Sequence, residues 1–514
     1  MIINFSEYEP AKIKSRIVIF GSGAAGISLA LSLEKKGIAS VIIEGGDEFY
    51  SEQSQNLYNG SMSGGRVLPN GLMGLRQRYL GGSTNCWAGG CLEFDDEDFI
   101  KRPWVPFSGW PITKRSLSSY YEQAARLLDV NVRTIREAEK FSDVGSLQGF
   151  EKRSLTYCNN ISFYEVFGEH LKRSDLITIC LNANLVGLEQ VEDKTTRAII
   201  SDYSKNIKYV SAEFFVLACG GIENARLLLN FARSDTANAF SNNANIGRFF
   251  CEHPIAPVAS VTNTKGFNLD MFEAQNFWDR GYMPYYTVPL ETQRQQQTLN
   301  YAVQFHQQEN EFSDADLAAI KLYRRMRKIT NEKISFDDIQ TLALNPIDVL
   351  STFFEKKRGM KKRMALRVQI EQAPNPNSKI SLSDVDDPLG LKRLNLSWNF
   401  TDLELNTIKY AMLNSAKAFW RAGYGTLKID SNFLEKFNDV PRDLRGGGHH
   451  CGTTRMGIDK KTSVVNSDLQ FHDLKNFYIL GSSVFPTNSW ANPTFTIIAL
   501  AIRLSDTLER RLLA

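Results

Sequence analysis

Arg16-Ile-Val-Ile-Phe20, Gly21-Ser-Gly-Ala-Ala-Gly26 and Ser40-Val-Ile-Ile-Glu44 lie together within residues 16–44. The first and third runs are short, apolar and β-branched, as expected of strands buried on both faces of a parallel sheet. Between them, residues 27–35 carry apolar side chains at helical spacing, closed by Gly37. The reading is strand, glycine turn, helix, strand. In that context each glycine has its own role. Gly21 allows the tight turn, Gly23 lets backbone approach a pyrophosphate, and Gly26 lets helix lie on strand. Ala24 and Ala25 open the helix, whose free N–H groups and dipole favour a phosphate. Glu44, 18 residues beyond Gly26, is placed to accept hydrogen bonds from ribose hydroxyls. The fingerprint itself does not separate FAD from NAD.

At 514 residues the chain exceeds one hydrophobic core. Its composition, 43% hydrophobic and 23% charged with a net charge of +3, is that of a globular protein. Nothing in that balance points to nucleic acid. A meander of short strands is expected from about 180 to 218, including residues 198–203. It leads to a second buried strand ending in glycines at 214–221, then a helix to Phe231. Residues 301–306 and 365–370 alternate like strands with one ligand-facing side. The expected fold is α/β: a Rossmann-type nucleotide-binding domain from 1–110, 175–255 and 440–514, with 111–174 and 256–439 forming an inserted substrate domain on an antiparallel sheet.

A second glycine-rich segment, Arg78-Tyr-Leu-Gly-Gly-Ser-Thr-Asn-Cys-Trp-Ala-Gly-Gly90, suits backbone wrapped around a large planar ring. With residues 108–112 (Ser-Gly-Trp-Pro-Ile), Tyr120-Tyr121, residues 217–226 (Leu-Ala-Cys-Gly-Gly-Ile-Glu-Asn-Ala-Arg) and residues 245–254 (Asn-Ile-Gly-Arg-Phe-Phe-Cys-Glu-His-Pro), it resembles the glucose–methanol–choline (GMC) family of FAD oxidoreductases. The sugar-oxidising bacterial branch and the pyranose 2-oxidases are the nearest in pattern. The resemblance implies FAD along Gly81, Gly82, Ser83 and Asn85 of the ring loop. It also implies contacts at Val186, Ala218, Gly220, Gly481, Ser482, Pro493 and Thr494. The ring loop has Asn85 and no histidine where pyranose oxidases carry a flavin-linked histidine, so the FAD is expected to be non-covalent. The seven scattered cysteines (86, 91, 158, 180, 219, 251, 451) include no adjacent pair. Neither an iron–sulfur cluster nor another metal is expected.

Taking a hydride from an alcohol requires an acceptor, a base for the hydroxyl proton and donors for the oxygen. Of six histidines, two stand in Gly446-Gly-Gly-His-His-Cys-Gly-Thr-Thr-Arg-Met-Gly457. The family register, three residues before a small residue and seven before Met, selects His449 as base and leaves His450 in reserve. Residues 489–496 (Ser-Trp-Ala-Asn-Pro-Thr-Phe-Thr) match the family's second signature, placing Asn492 on the substrate oxygen. His253, His306 and His472 read as ordinary histidines. Residues 371–378 resemble a sheet edge over the flavin.

The expected activity is oxidation of a CH–OH group on a sugar, glycoside or cyclitol, with the acceptor open among oxygen, a quinone and a carrier protein. A sterol or simple-alcohol oxidase and a redox-silent flavoprotein with lyase or binding work are the alternatives. An NAD-dependent dehydrogenase explains least. No run reaches the length of a membrane span, no secretory signal opens the chain, and unpaired thiols suit a cytoplasmic protein. Residues 321–363 hold twelve basic against five acidic side chains, from Lys321 to Arg363. They are a candidate for docking on anionic lipid or an acidic partner.

Overall fold

The computed structural model describes residues 1–11, 15–64, 68, 71–136, 146–159, 161–233, 238–262, 282–307, 318, 321–322, 334–344, 364–429 and 445–514. Most of the basic stretch, including Lys356, Lys357, Lys361 and Lys362, lies outside them.

Ile17–Phe20 is a fully buried strand near the centre of a six-stranded, all-parallel sheet. The order across the sheet is Ile2–Asn4, Ile177–Leu181, Ser40–Ile43, Ile17–Phe20, Phe214–Leu217, Phe477–Ile479. Register aligns Ile19 with Ile42 on one side and Val216 on the other. The helix Ala24–Glu34 buries residues all round, as a helix does when covered on every side. It packs between the sheet and the C-terminal helix Thr494–Leu513. Two glycines make that geometry possible. Gly21 has φ +100°, and a Cβ there would lie 2.7 Å from the Ala218 carbonyl oxygen. A Cβ on Gly26 would lie 2.0 Å from the Gly21 oxygen, so only glycine lets this helix start so close to its strand.

The meander is present as Asn184–Val191, Lys194–Ser201 and Ile207–Val210, all antiparallel. A register shift between Leu185 and Gly187 leaves Val186 as the extra residue of a bulge.

The second large sheet is antiparallel. Its order is Thr426–Ile429, Pro254–Thr262, Met364–Ile370, Tyr301–Gln307, Tyr282–Thr287, Glu151–Tyr157 and Gly90–Cys91, with Arg445–Gly446 also pairing the second of these. Val303, Phe305, Leu366 and Val368 pack with Ile408, Ala411, Met412 and Phe419 of the helix Asp402–Arg421. Strand alternation turns Gln304, Arg367 and Gln369 the other way. The helix Lys114–Leu127 lies against the C-terminal helix, with Tyr121 bonded to Thr496 at 2.8 Å and Tyr120 to Asp506 at 2.8 Å. This part of 111–174 therefore packs on the parallel-sheet half.

Candidate active site

A cavity of about 520 Å³ lies between the two sheets, lined at one end by Glu44 and at the other by His449 and Asn492. Three helix N-termini open onto it, at Ala24, Gly220 and Thr494, and none has a side-chain cap. Their first N–H groups and dipoles make this wall favourable to negative charge. Gly23 leaves its backbone bare toward the cavity, with nothing within 4 Å of where a Cβ would stand. Glu44 is buried. One carboxylate oxygen accepts from the Ser22 amide (2.9 Å) and hydroxyl (2.6 Å), the other from the Gly46 amide (2.7 Å). The glycine turn and the acid are thus one preformed unit, and an extended dinucleotide fits its donors and shape.

Of the expected cofactor residues, Gly21, Gly23, Ala24, Ala25, Glu44, Gly82, Ser83, Ala218, Gly220, Gly481, Ser482, Pro493 and Thr494 line this cavity. Gly26 does not, because its place is against the Gly21 backbone. Gly81 and Asn85 shape the ring loop from behind. The Asn85 amide donates to the Leu80 carbonyl (2.9 Å), and its oxygen accepts from the Ser162 hydroxyl (2.7 Å). Val186 also stands outside the lining. The bulge shifts the strand's alternation there, and Asn184 and Leu185 line the cavity instead. Glu371 does not face substrate: its carboxylate accepts two bonds from Arg102, at 2.6 and 2.8 Å, with both side chains fully buried.

His449 lines the cavity on a loop fixed by Glu252, whose Oε1 accepts from the His449 amide (2.7 Å) and the His253 amide (2.8 Å). The two imidazoles meet Nδ1 to Nδ1 at 2.8 Å. His253 is fully buried and its Nε2 lies 3.0 Å from the Asn488 carbonyl oxygen. Burial holds His253 down at about 4, so it is neutral at ordinary pH. These contacts determine the tautomers. A carbonyl only accepts, so His253 Nε2 carries the hydrogen and its Nδ1 is bare. His449 Nδ1 must then donate. Burial first, then the neighbouring His253, His450 and Arg367, hold His449 well below the ordinary imidazole range. The neutral ring therefore leaves Nε2 unprotonated, as a general base requires.

His450 lines the cavity too, but differs in its setting. Its ring stacks on Phe250 with centroids 5.9 Å apart, and its Nε2 lies 3.3 Å from Glu252 Oε2. Burial, then Arg76, pushes it down to about 3, while burial pushes Glu252 up to about 7. The Asn492 amide lies 3.5 Å from the Gly90 carbonyl oxygen. Asn488 ties the two histidine-bearing segments to that of Asn492: its amide donates to the Glu252 carbonyl (3.0 Å) and its oxygen accepts from the Gln372 amide (3.1 Å). The antiparallel sheet contributes Leu155, Tyr157, Met283, Tyr285, Arg367 and Gln369 to the cavity. His253 and Glu252 carry no sequence signal beyond lying in a segment shared with a family, and Asn488 lies just before one. Arg367 and Gln369 are signalled by strand alternation. His306 and His472 lie outside the lining.

The GMC oxidoreductase C-terminal family model matches residues 374–501. An FAD-dependent oxidoreductase from Chaetomium thermophilum superposes with a TM-score of 0.58 at 14% identity, over 97% of this chain and 100% of that one. The C-terminal region thus matches the GMC oxidoreductase family model, and the whole chain shares its fold with this flavoprotein. Among curated relatives, 2-methyl-1,2-propanediol dehydrogenase of Mycolicibacterium austroafricanum is 23% identical over 65% of the chain and 55% of the relative. Fructose dehydrogenase large subunit of Gluconobacter japonicus is 22% identical over 64% and 53%. The chain spans about half the length of these curated relatives. Among the described residues, no helix is long and apolar enough to cross a membrane.

Proposed function

We propose that this chain is an FAD-dependent oxidoreductase that oxidises a CH–OH group on a sugar, glycoside or cyclitol, with the FAD bound non-covalently. Bound FAD supplies the hydride acceptor. The observation that carries the reading is the ordered pair His253–His449, which presents a bare imidazole nitrogen to a cavity bordered by three uncapped helix starts. His449 Nε2 takes the hydroxyl proton. Asn492 donates to the substrate oxygen as charge develops on it, and the helix starts favour negative charge across the cavity. His253 is a positioning residue: it acts through His449 by fixing its tautomer.

The parallel-sheet half, with the helix Lys114–Leu127 packed on it, serves the cofactor, and the antiparallel sheet serves the substrate. Tyr157, Tyr285, Arg367 and Gln369 give the substrate end a polar, aromatic wall suited to a hydroxylated ligand rather than a sterol. The fructose dehydrogenase among the relatives supports the same substrate class, and the diol dehydrogenase supports alcohol oxidation more broadly. None of the seven cysteines forms a disulfide, which suits a reducing, cytoplasmic setting. Anaerobic mixing of the purified yellow protein with polyols, sugars, glycosides and simple alcohols tests the reading. Hydroxylated rings should bleach the visible flavin band, whereas bleaching by none of the panel overturns the proposal.

A further inference from the structure

Beyond helping to keep His449 neutral, Arg367 has no part in the alcohol oxidation proposed above. It stands on Met364–Ile370, two residues before Gln369, and both line the substrate end. The guanidinium is half-buried, and it has no ion pair or side-chain hydrogen bond among the described residues. Its neighbours across the ladder are Gln304 on one strand and Pro257 on the other, and neither carries a counter-charge. The two carboxylates in the cavity lining are already engaged. Glu44 is held by Ser22 and Gly46, and Glu223 by Arg226 at 2.7 Å. A partly desolvated cation without an anion is costly unless a ligand supplies one.

We infer that the substrate is a carboxylate-bearing sugar or polyol whose carboxylate pairs with the Arg367 fork while a ring hydroxyl is presented to His449. The inference rests on the alcohol-oxidation reading for its substrate and names the class more closely. A planar carboxylate matches the paired N–H donors of arginine, which orient as well as attract. Gln369, on the same strand face and in the lining, donates its amide to the Trp490 carbonyl and keeps its oxygen for a ligand hydroxyl.

The test is binding, so it does not depend on turnover. Cyclohexanecarboxylate and its uncharged amide are titrated into the flavin-loaded protein by calorimetry, with the visible flavin spectrum reporting occupancy of the site. The carboxylate should bind about 10- to 100-fold more tightly than the amide, as expected for hydrogen bonds to charged groups. Arg367→Gln should collapse that ratio toward one, and Arg367→Lys should keep part of it. Equal binding of acid and amide by the wild-type protein overturns the inference, whether or not any polyol bleaches the flavin. It is also overturned if Arg367→Gln leaves the ratio intact, or if it lowers the flavin potential while acid and amide lose affinity equally. In that last case the charge serves the flavin. Failure of alcohol oxidation is scored separately, as an absence of bleaching by neutral and anionic polyols alike.

Discussion

Replacing His253 with alanine should slow flavin reduction by about 30-fold without releasing FAD. The magnitude follows from one contact. His449 Nδ1 donates to His253 Nδ1 at 2.8 Å in a site closed to water by the full burial of His253. Alanine leaves that donor without an acceptor, which costs about 1–3 kcal/mol. At the middle of that range, and with 1.4 kcal/mol per tenfold, the bare-Nε2 tautomer is disfavoured by about 30-fold. His253→Asn is the control, because an amide oxygen placed near the lost Nδ1 can still accept from His449. The assay is anaerobic stopped-flow reduction at saturating substrate, with kcat falling and KM little changed. A second readout is independent of rate. With nitrogen-15-labelled histidine, wild-type His449 should show a protonated Nδ1 and a bare Nε2, and His253 should titrate near 4. Wild-type reduction rates in His253→Ala, or equal losses in the alanine and asparagine variants, would refute the tautomer argument.

Asn492→Ala should lower kcat by about 10²-fold while FAD stays bound, the usual worth of one donor to a developing oxyanion; stopped-flow reduction measures it. Acid precipitation should release all the flavin into the supernatant, because Asn85 holds the ring loop from behind and no histidine stands in it; colour retained in the pellet shows a covalent bond. Glu371→Ala should destabilise the fold by about 3–5 kcal/mol, since it strands the fully buried Arg102, and thermal unfolding should show the loss. His449 is held below the ordinary imidazole range mainly by burial, so its base form persists at neutral pH. Flavin reduction should therefore be flat through neutrality and fall only in acid, with a profile inflecting above neutrality as the contrary result.

The parallel sheet was legible because its signals are local. Ile17–Phe20, the glycine turn and Glu44 act within one supersecondary unit, and the C-terminal helix starts at Thr494 straight after the Asn-Pro pair. Alternation exposed the antiparallel strands and turned Arg367 and Gln369 to the cavity. The edge strand Ile2–Asn4 is too short for a periodic pattern. Val186 lies outside the cavity lining because a single bulge residue reverses facing without altering composition. Glu371 has its partner 269 residues away, and His253 meets His449 across 196. The roles of such residues come from contacts that no local spacing encodes, so His253 reads in sequence as one more ordinary histidine.

Whether His449 is the base of a flavin-dependent alcohol oxidation is tested most directly by comparing His449→Ala with His450→Ala in one anaerobic experiment. Both variants should retain FAD. His449→Ala should reduce it about 10²- to 10⁴-fold more slowly than the wild-type protein with the best bleaching polyol, the usual worth of a positioned general base. His450→Ala, whose ring stacks on Phe250, should lose far less. A crippled His450 variant beside a near-normal His449 variant would contradict the assignment.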